Sequence, residues 1–440
     1  MLTKILEFRY SESDLISATH VCEIWRSALL STPLLWTEVE FGNSDRASTY
    51  LERSKSTPLH VSVGYSAIDS ESFAGDMSWF GRIDSLRILA CRDQIESIAG
   101  ELCLPTPNLR SLTIDGRSGG GLIHIPPEFL GRRAPFLRNL TLDSVSPMPV
   151  TNLPLQNLTN LRWVDLFSFV GIEEVLVLLT LTPLLEALDL GLRVQSTTEA
   201  GQHRGITLTN LRRLAWANYG GPLSLMSLLV APELKHATIH VTSDSSHSDL
   251  STILPLHRNR FPWFAEPIAL RYRYRNFTRS CHITYPSGYI EIHQTHMVNR
   301  HPPDDRWLST NASISFRKTK HLCVEAYGGC PSPGDIPMEQ FESLESLELM
   351  GEVGELLSVV RSNGSVTSGI PSIPFPSLSE LHLIIRGGDF PFEALAGVLK
   401  ERKEAGYRIK ALRIKGRCKG YSEAVTWELA KLVDSVTKIG

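Results

Sequence analysis

The sequence predicts an α/β fold, in which a small α-helical head precedes a curved solenoid of short repeats with a mostly parallel β-sheet. Three observations lead to this prediction. The pattern L-x-x-L-x-L recurs through the chain, segments of helical length and apolar content lie between several copies, and a separate helical pattern occupies residues 13–30. The 440 residues are enough for one long repeat array.

The repeat is the dominant feature of the sequence. The leading residues of the first six copies are 23 to 28 residues apart, which is the period of leucine-rich repeats. Nine copies begin at Leu109, Leu137, Leu161, Leu185, Leu211, Leu234, Leu344, Leu378 and Ile409, and a partial copy begins at Leu86.

The chemistry of the repeat explains the predicted fold. The fourth and sixth residues of each copy alternate with polar residues, so both point to one side of a short strand. Stacked copies then form a parallel sheet with a continuous core, covered by helical segments such as 171–179 and 220–229. The copies lack the regular Asn or Cys of the standard motif and vary in length. We therefore expect an irregular leucine-rich-repeat solenoid over residues 37–420.

Two segments depart from the repeat. Residues 255–320 predict a β-rich interruption, because apolar and Arg residues alternate from Leu270 to Arg275, and residues 283–292 read as a hairpin with a Gly-containing turn. Residues 421–440 predict a C-terminal capping helix, since apolar residues recur there at helical spacing. These are Val425, Leu429, Leu432, Val433 and Val436.

The head is predicted from residues 13–30. Ser13 can cap a helix, and Ser31-Thr32-Pro33 ends the helical pattern before Leu34-Leu35-Trp36. The apolar residues that fall on one helical face are Leu15, Ala18, Val21 or Cys22, Trp25 and Leu29. Such a small unit needs a neighbour to bury its tryptophans.

Two stretches of the head carry a family resemblance. One is Asp14-Leu15-x-x-Ala18-x-x-Val21-Cys22-x-x-Trp25-Arg26, and the other is Ser31-Thr32-Pro33-Leu34-Leu35-Trp36. Together they resemble the F-box and F-box-like proteins that are expanded in mushroom-forming (basidiomycete) fungi. The segment 50–63 and the irregular repeats are similar to the same group. The resemblance spans most of the chain, but only residues 1–36 carry its specific motif.

The resemblance implies a protein-interaction role without catalysis. An F-box binds a Skp-type adaptor, which links it to a cullin–RING (SCF-type) ubiquitin ligase, while the repeats present an unidentified protein substrate. The residues that match the family's adaptor-binding surface are Leu2, Ile5, Leu6, Leu15, Val21, Cys22, Trp25 and Arg26.

The sequence departs from the family at its start. An F-box normally opens with Leu-Pro and an acidic residue, whereas this sequence begins after that point, at Met1-Leu2-Thr3. The resemblance therefore leads us to expect an N-terminally incomplete F-box that binds its adaptor weakly. The alternative is a head that only caps the first repeat, in a leucine-rich-repeat scaffold whose degenerate F-box has no ligase link.

A less favoured alternative is RNA binding through residues 258–279. Six arginines are interleaved there with aromatic residues against one acid, Glu266. Such a strip could contact phosphates and stack bases, or bind an acidic protein. We favour an ordinary strand with its arginines in water, because alternation puts Arg and Tyr on opposite faces. The net charge of −3 also gives no general attraction to nucleic acid or to an anionic membrane.

The sequence predicts no enzyme, cofactor or metal site. Ser118 lies in a G-x-S-x-G pattern, but Pro126-Pro127 interrupts the helix that a nucleophile elbow requires. His293 and His296 would face opposite sides of a strand, and nearby His301 adds no Cys or Glu partner. Seven scattered cysteines and the lack of a signal-peptide pattern predict an intracellular protein, cytoplasmic or nuclear.

Overall fold

Successive strands of this chain pair side by side, which gives a mixed α/β structure dominated by a large, mostly parallel sheet with few helices. This confirms the predicted class and the mostly parallel sheet. The computed structural model describes residues 12–41, 44–64, 77–89, 94, 103–116, 129–145, 154–195, 205–218, 228–243, 267–275, 278–286, 288–296, 315–327, 340–351, 353–357, 374–385, 389–416 and 419–439.

The chain divides into two compact units. The first unit contains residues 1–197 and 208–211, and the second contains residues 198–207 and 212–440. Each unit has its own strands and helices, which are given in turn.

The described part of the first unit contains seven strands, each parallel to the next along the chain. They are β1 (Glu38–Phe41), β2 (Leu59–Val63), β3 (Ile83–Leu89), β4 (Ser111–Asp115), β5 (Asn139–Asp143), β6 (Asn160–Gly171) and β7 (Ala187–Gln195). Its described α-helices are α1 (Glu12–Thr19), α2 (Glu23–Leu30), α3 (Ser44–Arg53) and α4 (Ile172–Thr180). Helix α4 lies where the sequence predicted a helical segment.

The described part of the head, from residue 12 onward, contains two helices and not one continuous helical face. Helix α1 ends at Thr19, where the amides of His20 and Val21 bond to carbonyls only three residues back. Cys22 is extended, with φ −160°, and α2 starts after it. The predicted stripe is therefore divided between two helices packed against each other, with a 3₁₀ turn at Pro33–Trp36 beyond them.

Most strands of the second unit form the same kind of sheet with a local reversal. The described strands of this unit are β8 (Ile206–Thr207), β9 (Arg213–Asn218), β10 (Leu229–Val230), β11 (His236–Ser243), β12 (Ala269–Arg275), β13 (Thr278–Tyr285), β14 (Gly288–His296), β15 (His321–Tyr327), β16 (Ser346–Gly351), β17 (Glu380–Ile385), β18 (Ala411–Lys415) and β19 (Ser435–Ile439). Strands β8 and β10 pair with each other in a separate two-stranded sheet. The described helices are α5 (Val353–Leu356), α6 (Phe392–Glu404) and α7 (Glu423–Ala430).

The reversal is an antiparallel meander of β12, β13 and β14. Its outer strands join the parallel array, since β14 pairs with β11 and β12 pairs with β15. Only the central strand β13 runs against its neighbours. The hairpin predicted over 283–292 is formed by β13 and β14, within the segment predicted to interrupt the repeats.

The fourth and sixth repeat positions form the core, as the alternation predicted. The test residues of the repeat hypothesis are at most 4% exposed, and these are Leu112, Leu140, Leu188, Leu214 and Leu381. Corresponding leucines of neighbouring strands are in register, for example Leu112 with Leu140 and Leu347 with Leu381. Burial of this apolar row stabilises each strand against the next by about 25 cal/mol per Å² of apolar surface.

The register of two predicted copies was wrong. Leu161 pairs with Leu140 at the fourth position, so that copy begins at Leu158 and its sixth residue is Trp163. The partial copy likewise begins at Ile83, since Leu86 pairs with Leu112. Trp163 obscured the sequence pattern, although it is 1% exposed and fills a core position as a leucine would.

The full copies from Leu109 to Leu378 enter their strands through tight turns. The amide of the leading residue bonds to the carbonyl three residues earlier, for example Leu109 to Thr106 and Leu344 to Phe341. The repeats lack the regular Asn of the standard motif, yet an Asn precedes the leading Leu in three copies. Asn108, Asn157 and Asn210 each donate from Nδ2 to a carbonyl of the preceding repeat, at 2.6, 2.8 and 3.5 Å.

The C-terminal segment differs from its prediction. Helix α7 ends at Ala430, and Val436 lies on β19, which pairs in parallel with β18. The apolar residues recur in the sequence past the end of α7, because Val433 is buried as Leu429 is, although only Leu429 lies in the helix. The end of the chain is thus another short helix and strand.

Gly288 provides a stability prediction. A Cβ built there would lie 1.8 Å from the carbonyl oxygen of Lys235, which accepts the Tyr289 amide at 2.8 Å. Gly288→Ala should therefore separate β14 from β11 and cost about 1–3 kcal/mol of unfolding free energy. Urea unfolding measures the loss. Gly397→Ala is the control, because nothing lies within 4 Å of its Cβ position in α6. A loss no larger than that of the control would contradict the argument.

Candidate functional site

The head presents apolar side chains to the surroundings. Ile24 is 76% exposed, Leu34 67% and Val21 62%. Trp25 is half-buried, and Cys22 and Arg26 are exposed. Large exposed apolar side chains are a feature of surfaces that bind another protein. We call Val21, Ile24, Trp25 and Leu34 the head surface.

The interior of the head is formed by a different set of residues. Leu15 is 1% exposed and Leu29 is 2% exposed, so Leu15 contributes to the core rather than to the predicted contact surface. Leu2, Ile5 and Leu6 lie outside the described residues. Ile24 and Leu34 are not among the predicted contact residues, because the break after α1 and the 3₁₀ turn decide which apolar side chains point outward.

Trp36 anchors the head to the first repeat elements. Its side chain is 1% exposed, and its Nε1–H donates to the carbonyl of Leu29 at 3.0 Å. The ring of Tyr50 packs edge-on at 5.0 Å, and the Arg53 guanidinium lies 4.4 Å above the indole. These contacts tie α2 to α3, so the exposed side chains of α2 are held in a defined orientation.

A second candidate site is a polar row across the sheet of the second unit. It follows the register through β14, β13, β12, β15, β16 and β17. Its members are Glu291, His282, Arg271, Cys323, Glu348 and His382, and we call them the polar row. They line one open depression of about 510 Å³.

Two arginines at this depression share a buried carboxylate. Glu325 has a side chain that is only 5% exposed, and Arg273 holds both of its oxygens, at 2.7 and 3.3 Å. Arg271 is farther away, with Nε 3.6 Å from Oε1 and a side chain that is 53% exposed. This arrangement agrees with the favoured interpretation of residues 258–279, in which the arginines face away from the core. The side chains of Tyr272, Tyr274 and Arg275 are not among those that the structure describes.

Aromatic rings cluster beside the row on β11, β13 and β14. His240 and His293 stack at 4.5 Å, and His282 stacks on Tyr289 at 4.8 Å. Burial lowers the pKa of His282, although Glu291 opposes the shift and Arg271 adds to it. Burial also lowers the pKa of His293, to which His240 and Arg273 contribute in the same direction and Glu291 in the opposite one.

The lowered histidine pKa values predict a pH-dependent stability. A pKa below the ordinary 6.5 means that the folded chain disfavours the imidazolium, so the contribution is complete above pH 6.5 and is lost as the pH falls through the lowered value. The double variant His282→Asn/His293→Asn should lose less unfolding free energy between pH 7 and pH 5 than the parent chain does. Urea unfolding at both pH values measures this, with exposed His60→Asn as control. An equal loss in the double variant would exclude these histidines as its origin.

Cys323 lies in the middle of the polar row. Its thiol donates to Glu348 Oε1 at 3.3 Å. Burial, reinforced by the nearby Glu348 carboxylate, raises the pKa of this thiol to about 12. The thiol therefore stays protonated at neutral pH, and it serves as a hydrogen-bond donor rather than as a nucleophile.

The sheet of the first unit provides a contrast. Arg162 contacts the carboxylates of both neighbouring strands, with Nε 3.5 Å from Asp143 Oδ1 and Nη1 bonded to Asp189. Its charge is thus matched within the sheet. Arg271, in contrast, has a contact of 3.6 Å to the Glu325 carboxylate, which Arg273 already holds through both oxygens.

The remaining Ser and His candidates from the sequence lie outside the described parts of the chain or have side chains that do. Ser118 and His301 lie outside them, as does the His296 side chain. No group of three or more His, Cys, Asp or Glu residues in the described regions could hold a metal ion. Among the described cysteines, Cys22, Cys281 and Cys323 are free thiols. None of the described helices has the length and apolar character needed to cross a bilayer.

No protein-family model matches this chain, and no curated protein matches it.

Proposed function

We propose that this chain is a protein-interaction protein that acts as an F-box-type substrate-recognition adaptor of a cullin–RING ubiquitin ligase. Its head binds a Skp-type adaptor, and its repeats form an irregular leucine-rich-repeat solenoid that binds a protein substrate. The single observation that supports this proposal best is the exposure of the head surface, with Ile24, Leu34 and Val21 each more than 60% exposed. A head that only capped the first repeat would bury such side chains.

The matched motif residues favour the same function. Of the motif residues in α2 and the turn before it, Val21, Cys22 and Arg26 are exposed and Trp25 is half-buried. The motif residues Leu35 and Trp36 are instead buried and stabilise the head. The pattern therefore separates into a part that supports the fold and a part that is available to a partner.

The test is binding of a purified Skp-type adaptor to the full chain, measured by calorimetry. Ile24→Asp and Leu34→Asp should each weaken binding by roughly thirtyfold or more, because a carboxylate in the centre of an apolar contact costs about 2 kcal/mol. Both side chains are largely exposed, so neither change should unfold the head. Leu184→Asp is the matched control, since Leu184 is 45% exposed in a repeat turn of the same unit.

The outcomes separate the proposal from its main alternative. Adaptor binding, even if weak, that the two head variants lose and the control keeps supports the ligase role. If the folded parent chain does not bind the adaptor at all, the head has only a capping role and the chain is a scaffold without a ligase link.

A further inference from the structure

The charges of the polar row alternate at a regular spacing. Arg271 on β12 is in register with Cys323 on β15, which is in register with Glu348 on β16. Neighbouring strands are about 4.8 Å apart, so the positive and negative positions lie roughly 9.6 Å apart. Cys323 lies between them and belongs to the wall of the same depression.

Neither charge is fully matched within the sheet. Arg271 lies 3.6 Å from a Glu325 carboxylate that Arg273 already holds through both oxygens, and 3.6 Å is longer than a hydrogen bond. Glu348 accepts a hydrogen bond from the Cys323 thiol, which carries no charge. An incoming ligand can therefore gain an ion pair at each position without breaking a strong internal one.

We propose that this depression binds an extended peptide segment that carries an acidic residue and, three positions away, a basic residue. The acidic side chain pairs with Arg271 and the basic one with Glu348. In polyproline II conformation, residues i and i+3 lie on one side of the peptide and are separated by about 9.3 Å. This length matches the separation of the two charges, whereas residues two apart in a β-strand span only about 6.6 Å.

The signs of the surrounding charges favour a peptide over a nucleic acid. Glu291 and Glu348 line the same depression, and Glu325 lies buried beside the two arginines. These carboxylates would repel a phosphate backbone, whereas a peptide with both signs meets a complementary charge at each end. The inference rests on the proposed function at one point only, which is that the bound peptide segment belongs to the protein substrate.

The experiment uses fluorescein-labelled proline-rich nonapeptides and the full chain, with binding measured by anisotropy at low salt. The three peptides contain Glu-x-x-Lys, Glu-x-x-Glu or Lys-x-x-Lys. The parent chain should bind the Glu-x-x-Lys peptide about tenfold more tightly than either of the others. Arg271→Glu should shift the preference to Lys-x-x-Lys, and Glu348→Arg should shift it to Glu-x-x-Glu. These reciprocal shifts are gains of binding, which a damaged fold cannot produce.

Arg87→Glu is the matched control, because Arg87 is an exposed arginine on strand β3 of the first unit. It should leave all three affinities unchanged. Equal binding of the three peptides by the parent chain, preferential binding of single-stranded RNA, or no peptide binding up to 1 mM (about 4 kcal/mol of binding free energy) would each overturn the inference. Adaptor binding by the head is measured separately, so loss of one proposal leaves the other intact.

Discussion

Replacement of Trp36 by Ala should destabilise the first unit by about 3–5 kcal/mol. The indole is 1% exposed and fills the junction between the head and α3, where it forms a T-shaped contact with the ring of Tyr50. Its removal leaves a cavity and breaks the 3.0 Å hydrogen bond from Nε1 to the Leu29 carbonyl, which keeps the Thr32 amide as a donor, at 3.2 Å. Urea unfolding followed by circular dichroism measures the loss, and amide hydrogen exchange in α2 and α3 locates it.

The control for this prediction is Trp427→Ala. Trp427 is 64% exposed, although the Lys431 ammonium lies 3.4 Å above its ring. Removal of an exposed indole should cost less than about 1 kcal/mol. Equal losses for the two tryptophans would show that Trp36 does not anchor the head. Trp36→Ala should also abolish binding of a Skp-type adaptor, since the exposed side chains of α2 would lose their fixed orientation.

Replacement of Arg402 by Met should destabilise the second unit by about 3 kcal/mol. Arg402 lies in α6, is 2% exposed, and donates from Nη1 to the carbonyl of Pro374 at 2.7 Å and from Nη2 to that of Phe375 at 2.8 Å. Burial lowers its pKa to about 10, so the guanidinium is still charged at neutral pH. Hydrogen bonds from a charged donor contribute about 1.5–3 kcal/mol each, and Met restores the packing but not the bonds.

The same variant should loosen the turn that precedes β17. Phe375 has φ 55°, a conformation that a non-glycine residue keeps only when its surroundings impose it. Arg402→Met should therefore increase hydrogen exchange at Leu378, whose amide bonds to the Phe375 carbonyl at 3.1 Å. Lys400→Met is the control on the same helix, because its side chain is 67% exposed. No difference between the two variants would mean that Arg402 is dispensable for the turn.

The sequence by itself determined the buried face of most strands. The alternation of apolar and polar residues is a local property with a period of two, so it predicted the buried faces of the strands and their parallel pairing. Leu112, Leu140 and Leu381 are buried for that reason. The hairpin of β13 and β14 and helix α4 were predictable on the same local grounds. The motif residues of the head were also recognisable in the sequence. Which of them are buried and which are exposed could not be predicted from it.

Only the tertiary structure decided the register and the surfaces. Trp163 and Trp216 occupy sixth repeat positions as well as an aliphatic residue does, because burial depends on the neighbouring strands and not on the residue type alone. The polar row could not be read from sequence, since Arg271 and Glu348 lie 77 positions apart in the numbering and come together only through the pairing of β12 with β15 and of β15 with β16. Long-range strand pairing therefore sets the candidate binding surface, while local patterning sets the core.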